Sequence, residues 1–235
     1  MENIFENQKF IVANFKQSGD LGFFMHWITS FKEEIKSLDL KVNVVLCPSY
    51  IYLDLFNREF DTLEKNQKRR IFIGSQNVSA KQNLENTGEV GANFIKDFAN
   101  FSIIGHSERK ENADEVYEKY QRCIENQIVP ITCFYENKKV YDLENCIFAY
   151  EDPKSISKEG VFAEKNFDEI VQIVNELKPL FENKTVLYGG SVKPDNIQSI
   201  LNLDFFDGVL VGRTSLDVIG FLEIVKTVNN SQQNI

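Results

Sequence analysis

Eight short apolar runs recur along the 235-residue chain, separated by polar or helix-like stretches. Several are rich in Val and Ile and do not alternate polar with apolar residues, which is typical of parallel strands buried on both faces. The runs cover residues 10–13, 42–46, 71–73, 101–104, 128–131, 147–150, 186–188 and 209–211. Strands that alternate with helices indicate an α/β fold, and a closed barrel suits this length. We therefore predict one domain, a (β/α)8 barrel spanning residues 1–235.

The connections between the runs differ in length and pattern. In residues 167–180, Ile170, Val174 and Leu177 fall at helical spacing, which predicts an amphipathic helix. Only residues 132–146 separate the fifth and sixth runs, and that stretch is polar and weakly periodic. A parallel crossover needs about a dozen residues. We therefore expect a shortened connection, without a full helix, between strands 5 and 6.

The composition excludes several classes of protein. The formal net charge of −9 offers no basic field to replace the counterions of a nucleic acid. No apolar run approaches the length of about 18 residues that a membrane span requires, and the N-terminus lacks the features of a signal peptide. The cysteines are scattered without partner histidines, which argues against zinc or disulfides. We expect a cytoplasmic protein with no nucleic-acid or membrane partner.

The chain has two histidines, and their surroundings differ. His26 lies in the apolar stretch 23–27, which we interpret as a packed helix face with no functional role. The basic cluster at residues 65–70 is interpreted as a solvated helix end. An anionic substrate would therefore depend on a single lysine and on backbone N–H groups.

Chemically useful residues follow five of the predicted strands. Lys16 follows the first run, His106 the fourth and Glu151 the sixth, while glycine-containing turns at 189–190 and 212–213 follow the last two. Active sites of barrels lie at the C-terminal ends of the strands, so these groups are expected at one rim. A carboxylate beside an imidazole and an ammonium suits proton abstraction next to a carbonyl. The two turns suit a phosphate.

Six segments also carry recognisable motifs, in an order that covers essentially the whole chain. They are A-N-F-K at 13–16, Q-N-V-S with T-G-E at 76–79 and 87–89, G-H-S-E-R at 105–109, A-Y-E at 149–151, Y-G-G-S-V at 188–192 and D-G-V-L-V-G at 207–212. Together they resemble the triosephosphate isomerase family of TIM barrels. The resemblance implies interconversion of dihydroxyacetone phosphate and D-glyceraldehyde 3-phosphate, in glycolysis and gluconeogenesis. It implies neither a cofactor nor a metal ion.

The resemblance also assigns roles to individual residues. Glu151 would be the catalytic base, His106 the electrophile and Lys16 the positive charge, with Asn14 and Glu108 as supporting polar groups. Main-chain N–H groups would bind the phosphate. They belong to Ser157 in the lid, to Ser191 in the turn after strand 7, and to Gly212 and Arg213 in the turn after strand 8.

Two further family features concern assembly and structure. Thr87 matches the tip of the loop that enters the neighbouring subunit, so the resemblance implies a homodimer. Arg109 and Glu115 match an ion pair beside the site.

The chain departs from the family pattern at several positions. Phe15 replaces a tryptophan, and Arg213 replaces the second glycine after strand 8, where a negative φ would preserve the backbone N–H. In the mobile lid, residues 152–160, Ser157 replaces the glycine that contacts phosphate, and Lys154 replaces a tryptophan.

Two other functions remain open at this stage. Another phosphate-binding barrel, such as a metal-dependent sugar-phosphate epimerase, would need paired acids and histidine ligands, which two histidines cannot readily supply. A non-catalytic phosphate-binding protein derived from the barrel is suggested by the altered lid. The joint presence of Asn14, Lys16, His106 and Glu151 argues for the enzyme.

Overall fold

The computed structural model describes residues 8–82, 85–135, 142–152 and 166–232, and it contains a closed barrel of eight parallel strands. The order around the barrel follows the chain, and β8 pairs with β1. The strands are β1 Phe10–Asn14, β2 Asn43–Cys47, β3 Ile71–Ser75, β4 Phe101–Ile104, β5 Val129–Phe134, β6 Ile147–Tyr150, β7 Val186–Tyr188 and β8 Gly208–Val211. The predicted (β/α)8 barrel is confirmed.

Eight α-helices occur in the described ranges and surround the barrel. They are α1 Leu21–Ile35, α2 Leu53–Asp61, α3 Lys65–Lys68, α4 Ala92–Ile95, α5 Ala113–Glu125, α6 Phe167–Leu177, α7 Ile197–Leu201 and α8 Val218–Ser231. None of the described residues between β5 and β6 is α-helical, in agreement with the shortened connection, although residues 136–141 of that connection lie outside the description. No helix in these ranges is long and apolar enough to cross a membrane.

The strands are buried on both faces because the barrel has two apolar layers. Phe10 and Val12 of β1 point into an inner cluster, whereas Ile11 and Ala13 join the cluster between barrel and helices. Every residue of β1 is buried. Alternate residues thus meet two different apolar environments, which explains why the strand sequences show no polar alternation.

Helix α1 packs a single face on the barrel. Phe24, Trp27, Ile28, Phe31 and Ile35 are buried at spacings of three, four and seven residues. His26 is exposed, so the prediction that it belongs to a packed face was wrong. The five consecutive residues 23–27 cannot all face one side of a helix, since successive residues are rotated by about 100°.

The ring of Phe15 anchors the loop after β1 in an aromatic cluster. Phe15 is fully buried, and its ring meets those of Phe24, Trp27 and Phe56 edge-on at centroid distances of 5.3, 5.0 and 5.7 Å. Edge-to-face pairs of this kind contribute beyond their buried area. A phenylalanine therefore fills the position, and it fixes the backbone between Asn14 and Lys16.

Candidate active site

One pocket at the C-terminal rim of the barrel brings together most of the residues singled out from the sequence. It is lined by Asn14, Lys16, His106, Glu151, Gly189, Gly190, Ser191, Val192, Leu210, Gly212 and Arg213. These residues come from the ends of β1, β4, β6, β7 and β8. The common rim predicted for the strand-end groups is therefore observed.

Three predicted residues lie elsewhere. Glu108 lines an adjacent groove, where its carboxylate contacts the Lys16 ammonium. Thr87 is exposed in the loop after β3 and lines neither cavity. Ser157, with the lid residues 153–160, lies outside the described residues.

The Glu151 carboxylate is buried and held by hydrogen-bond donors from the β4 loop. Its side chain is 2% exposed, its Oε2 accepts from the backbone N–H of Ser107 at 3.1 Å, and its Oε1 lies 3.1 Å from His106 Nε2. The Glu151 backbone N–H donates to Phe134 O at 3.0 Å, which continues the sheet past β6. A carboxylate so placed is largely shielded from bulk water.

Glycine is required opposite this carboxylate. A Cβ on Gly189 would lie 2.7 Å from Glu151 Cγ and 2.9 Å from Tyr150 O. Contacts below 3.0 Å with backbone force a shift of the chain, so the first glycine of the turn after β7 makes room for Glu151.

His106 has a defined tautomer in its neutral form. Its Nδ1 accepts a hydrogen bond from the backbone N–H of Glu108 at 3.2 Å, at the start of the 3-10 turn Ser107–Arg109. Because a backbone N–H can only donate, Nδ1 carries the lone pair and the ring proton sits on Nε2. Nε2 faces Glu151 and the pocket. The imidazole can therefore donate a hydrogen bond to an oxygen of a bound ligand.

Lys16 has a strained backbone that several neighbours hold in place. Its φ is +53°, a conformation that non-glycine residues rarely adopt. Its N–H donates to Asn14 Oδ1 at 3.0 Å, and its carbonyl accepts from Gln76 Nε2 at 2.9 Å and from Ser49 Oγ at 3.1 Å. Its Nζ lies 2.5 Å from Glu108 Oε1. Strain held by so many contacts indicates that the position of the ammonium matters.

The turns after β7 and β8 are tied to each other. Thr214 Oγ1 donates to Val192 O at 2.7 Å, and Ser215 Oγ donates to Val211 O at 2.8 Å. Arg213 begins the 3-10 turn Arg213–Leu216 and is not among the residues with positive φ. The backbone therefore accepts a side chain where the family has glycine.

An ion-pair network behind His106 corrects one expectation from the sequence. Arg109 Nε pairs with Glu111 rather than with Glu115, which instead lies 3.4 Å from Lys119. Glu111 follows Arg109 by only two residues, so the turn that leads into α5 brings the nearer acid back to the guanidinium.

Glu111 and Lys119 connect two loops of the rim. Glu111 Oε2 accepts from the N–H of Gly105 at 3.0 Å, and the buried Lys119 bonds both Glu111 and Asn77. Burial would raise the pKa of Glu111, but hydrogen bonds from Lys119 and Arg109 outweigh it and hold the pKa below the usual value. No sequence motif singled out Glu111 or Lys119, since their role depends on contacts between loops.

Cys133 lies beside the Glu151 carboxylate. Burial, followed by the charge of Glu151, raises the pKa of its thiol well above the ordinary value. The thiol is therefore a neutral, weakly polar neighbour of Glu151.

A closed barrel whose strand-end pocket combines a buried carboxylate, a directed imidazole and a strained lysine places the chain among the (β/α)8-barrel enzymes. The sequence model of one family, described as triosephosphate isomerase, matches residues 9–142 and 136–228. The chain belongs to the triosephosphate isomerase family. The two matched segments overlap at residues 136–142, within the connection between β5 and β6.

Individual relatives agree with the family match. The triosephosphate isomerase of Wolbachia sp. subsp. Brugia malayi is 30% identical over 94% of this chain and 98% of that protein. The triosephosphate isomerase of Mycoplasmopsis pulmonis is 30% identical over 77% of this chain and 80% of its own length. That of Blochmanniella floridana is 25% identical, with 94% and 95% covered.

Proposed function

We propose that this chain is a triosephosphate isomerase, which interconverts dihydroxyacetone phosphate and D-glyceraldehyde 3-phosphate through an enediolate. The observation that carries the proposal is the Glu151 carboxylate, 3.1 Å from His106 Nε2, in a pocket shared with Lys16. Substrate and product are isomers, so the reaction needs a base and a stabilised oxyanion but no redox partner.

In the proposed mechanism Glu151 moves the proton between two adjacent carbons. Both of its oxygens now have donors, Ser107 N–H and His106 Nε2. A substrate carbonyl that takes the Nε2 proton as its own hydrogen bond releases one carboxylate oxygen toward the neighbouring carbon. Substrate binding thus replaces the contact between His106 and Glu151 by one between His106 and the substrate oxygen. The Glu151 carboxylate is released only when a substrate with a proton to abstract is present.

His106 and Lys16 stabilise the oxygen on which negative charge develops. The Nε2–H of a neutral imidazole donates to the enediolate oxygen, and the Nδ1 bond from Glu108 N–H keeps that tautomer in place. The Lys16 ammonium, held by its constrained backbone and by Glu108, adds a positive charge at the same rim. Preorganised donors of this kind act without reorganisation cost at the moment of reaction.

For the phosphate we propose the main-chain N–H groups of Ser191, Gly212 and Arg213, with Asn14 beside them and Ser157 contributed by the lid. The first four of these residues line the pocket. Gly212 suits the role because a Cβ there would stand 3.3 Å from Lys16 Cε and narrow the space beside the lysine.

We further propose that the protein acts as a homodimer in the cytoplasm, in glycolysis and gluconeogenesis. A groove beside the pocket is lined by Asn14, Lys16, Ser49, Tyr50 and other polar residues, and Ile51, the next residue in the chain, is 80% exposed. The loop that carries Thr87 would enter this groove of a second copy, with Thr87 near the partner's Asn14. A two-fold axis makes such an exchange reciprocal.

A coupled assay on the purified chain with D-glyceraldehyde 3-phosphate tests the proposal. We expect turnover in both directions without added metal or cofactor. A folded chain that binds inorganic phosphate but shows no turnover would instead identify a non-catalytic phosphate-binding barrel.

A further inference from the structure

Trp27 on helix α1 makes a hydrogen bond to a turn that lies 188 positions away in the chain. Its indole Nε1 donates to Ser215 O at 2.9 Å, and both residues are buried. Ser215 belongs to the 3-10 turn Arg213–Leu216, which directly follows Gly212 of the pocket. A side chain of the core, rather than one of the rim, therefore holds the turn after β8.

The carbonyl that accepts this bond lies where the turn closes. Ser215 N–H donates to Gly212 O at 2.9 Å, and Ser215 Oγ donates to Val211 O at 2.8 Å. Ser215 is fully buried, so a carbonyl that lost its indole donor would have no bulk water to replace it. Because Ser215 and Gly212 are bonded within one turn, a displacement of the first also displaces the second. The indole bond thus acts on the proposed phosphate end of the pocket.

Aromatic neighbours hold the indole in the position from which it makes this bond. The Trp27 ring stacks on Phe31 at a centroid distance of 4.9 Å and meets Phe15 edge-on at 5.0 Å. It also lies 6.0 Å from the ring of Phe221 on α8, the helix that follows the turn. A ring packed on several sides in a dense core has little freedom to rotate. The N–H donor therefore has a defined position relative to both β1 and α8.

We infer that Trp27 is a positioning residue for phosphate binding, whose indole N–H fixes the turn after β8 so that the main-chain N–H of Gly212 is directed at the substrate phosphate. The inference rests on the proposed function and adds a residue that lies outside the pocket. The ligand is a phosphate monoester. The effect falls on its binding rather than on proton transfer, because Lys16 is held by its own hydrogen bonds with Asn14 and Gln76.

The space between the turn and Lys16 is narrow, so the position of the turn matters. A Cβ on Gly212 would lie 3.3 Å from Lys16 Cε, closer than an ordinary van der Waals contact. Charge-assisted hydrogen bonds to an anion have donor–acceptor distances of about 2.7–2.9 Å, and a displacement of about 1 Å breaks them. The indole bond therefore determines how well a phosphate fits between the turn and the lysine.

The test compares Trp27→Phe with Phe60→Leu and the wild type. Trp27→Phe keeps an aromatic ring but removes the N–H donor. Phe60 is buried in the same aromatic cluster, where its ring pairs with Phe31 and Phe56, so Phe60→Leu removes core volume without removing a hydrogen bond. The Kd of inorganic phosphate is measured by titration calorimetry at constant ionic strength. KM and kcat are measured with D-glyceraldehyde 3-phosphate, and stability is measured by urea unfolding.

A positioning role and a purely structural role give different results. Trp27→Phe should raise the phosphate Kd and KM about fivefold, the factor that corresponds to one ordinary hydrogen bond, and should leave kcat within about twofold. Phe60→Leu should lower the stability but leave Kd and KM within about twofold of the wild type, because it is distant from the turn. A folded Trp27→Phe protein that binds phosphate like the wild type would overturn the inference, even where isomerase activity is intact.

The emission of Trp27 gives a second measurement on the unmodified protein. Trp27 is the single tryptophan of the chain and its N–H bonds the turn, so saturation with inorganic phosphate should change the emission of the wild type. Unchanged emission at saturation would overturn the inference even if Trp27→Phe does not fold. If the wild type has no isomerase activity but its phosphate affinity depends on Trp27, the proposed function fails and the inference stands.

Discussion

At the scale of single residues, the candidate site is a set of side chains whose neighbours restrict where they point. Glu151 is confined by Ser107, His106 and the missing side chain of Gly189. Lys16 is confined by its own backbone, which Asn14 holds from one side. In each case a hydrogen bond or a steric contact restricts the conformational freedom that a solvated side chain would have. Such preorganisation is the basis of electrostatic catalysis.

Replacement of the base gives the most direct prediction. Glu151→Gln keeps the shape of the side chain but cannot accept a proton from carbon, so kcat should fall by about 10²–10⁴-fold, the usual contribution of a general base. Steady-state kinetics of the purified variant measure the effect, and circular dichroism verifies the fold. If a folded Glu151→Gln protein keeps more than about a tenth of the wild-type kcat, another group is the base.

The sequence could predict the residues whose role follows from their place at a strand end. Lys16, His106 and Glu151 were predicted in this way, and the structure brings all three to one pocket. The partner of Arg109 was predicted wrongly, because spacing within a motif does not reveal how tightly a turn folds back. His26 was misjudged because a run of apolar letters does not specify which face of the helix is buried.

At the scale of elements, the loops after β1, β2 and β3 form one hydrogen-bonded unit. Gln76 Nε2 donates to Lys16 O and to Cys47 O, both at 2.9 Å, so one amide joins three strand-end loops. Such links cannot be found from local patterns, because each involves residues some 30 to 60 positions apart.

The strand segments themselves were predictable, since burial on two faces leaves a local signature in the sequence. Strand β3 nevertheless extends two residues beyond its apolar run, because Gly74 and Ser75 pair with β4.

Removal of the Gln76 amide should loosen Lys16. In Gln76→Leu the two carbonyls lose a donor but keep others, from Ser49 and from the Phe15 N–H, so we expect a cost of about 1–2 kcal/mol in the free energy of unfolding. We expect kcat/KM to fall by about tenfold, because a misplaced ammonium stabilises the transition state less well. Urea unfolding and steady-state kinetics measure the two effects.

Gln198→Leu is the matched control for that change. Gln198 is exposed on α7, and its side-chain amide donates to Asn202 Oδ1 at 2.9 Å, so its loss should leave kcat/KM unchanged. Equal kcat/KM for Gln76→Leu and the wild type would show that the lysine is held without the amide.

The buried pair behind His106 predicts how stability depends on pH. The folded pKa of Glu111 lies below its usual value of 4.5, so its contribution is complete above that value and is lost as the pH falls through the folded pKa. At neutral pH Glu111→Gln leaves the buried Lys119 with only the partly exposed Glu115 carboxylate, 3.4 Å away, as its acidic partner, and we expect a loss of about 3 kcal/mol, the low end for breaking a buried pair. The difference in unfolding free energy from wild type should stay constant above about pH 5 and shrink below pH 4.5.

Urea unfolding over this pH range, with Glu125→Gln as control, checks the prediction. Glu125 lies on α5, as Lys119 does, and pairs with Arg122. Its side chain is 51% exposed, so its loss should cost less than about 1 kcal/mol. A difference for Glu111→Gln that persists unchanged well below pH 4.5 would contradict the ionised pair.

At the scale of the whole molecule, the barrel closes on itself and leaves its exposed apolar side chains on the helices and loops around it. Phe94, Phe98 and Ile51 are exposed on the segments that follow β2 and β3. The polar groove that contains Asn14 and Lys16 is also lined by Tyr50, which directly precedes Ile51 in the chain. Sequence patterns cannot reveal this surface, because a single chain gives no sign of which exposed residues a second copy would cover.

The proposed homodimer can be tested at Ile51 without touching the pocket. At 80% exposure, Ile51 makes few contacts within its own chain, so Ile51→Lys should leave the stability of the isolated fold nearly unchanged. In an interface, the same change buries an unpaired ammonium at each of two symmetry-related positions and should shift the equilibrium strongly toward monomer. Sedimentation equilibrium at micromolar concentration should give twice the 27.2 kDa chain mass for the wild type and a smaller average for the variant.

The control for this prediction is Ile219→Lys, at a 67% exposed isoleucine in the first turn of α8, which should remain a dimer. Because the loop of one chain is proposed to reach Asn14 of the other, dissociation should also lower kcat/KM in Ile51→Lys and spare it in Ile219→Lys. A wild-type chain that sediments as a fully active monomer at these concentrations would show that the pocket is complete within one chain.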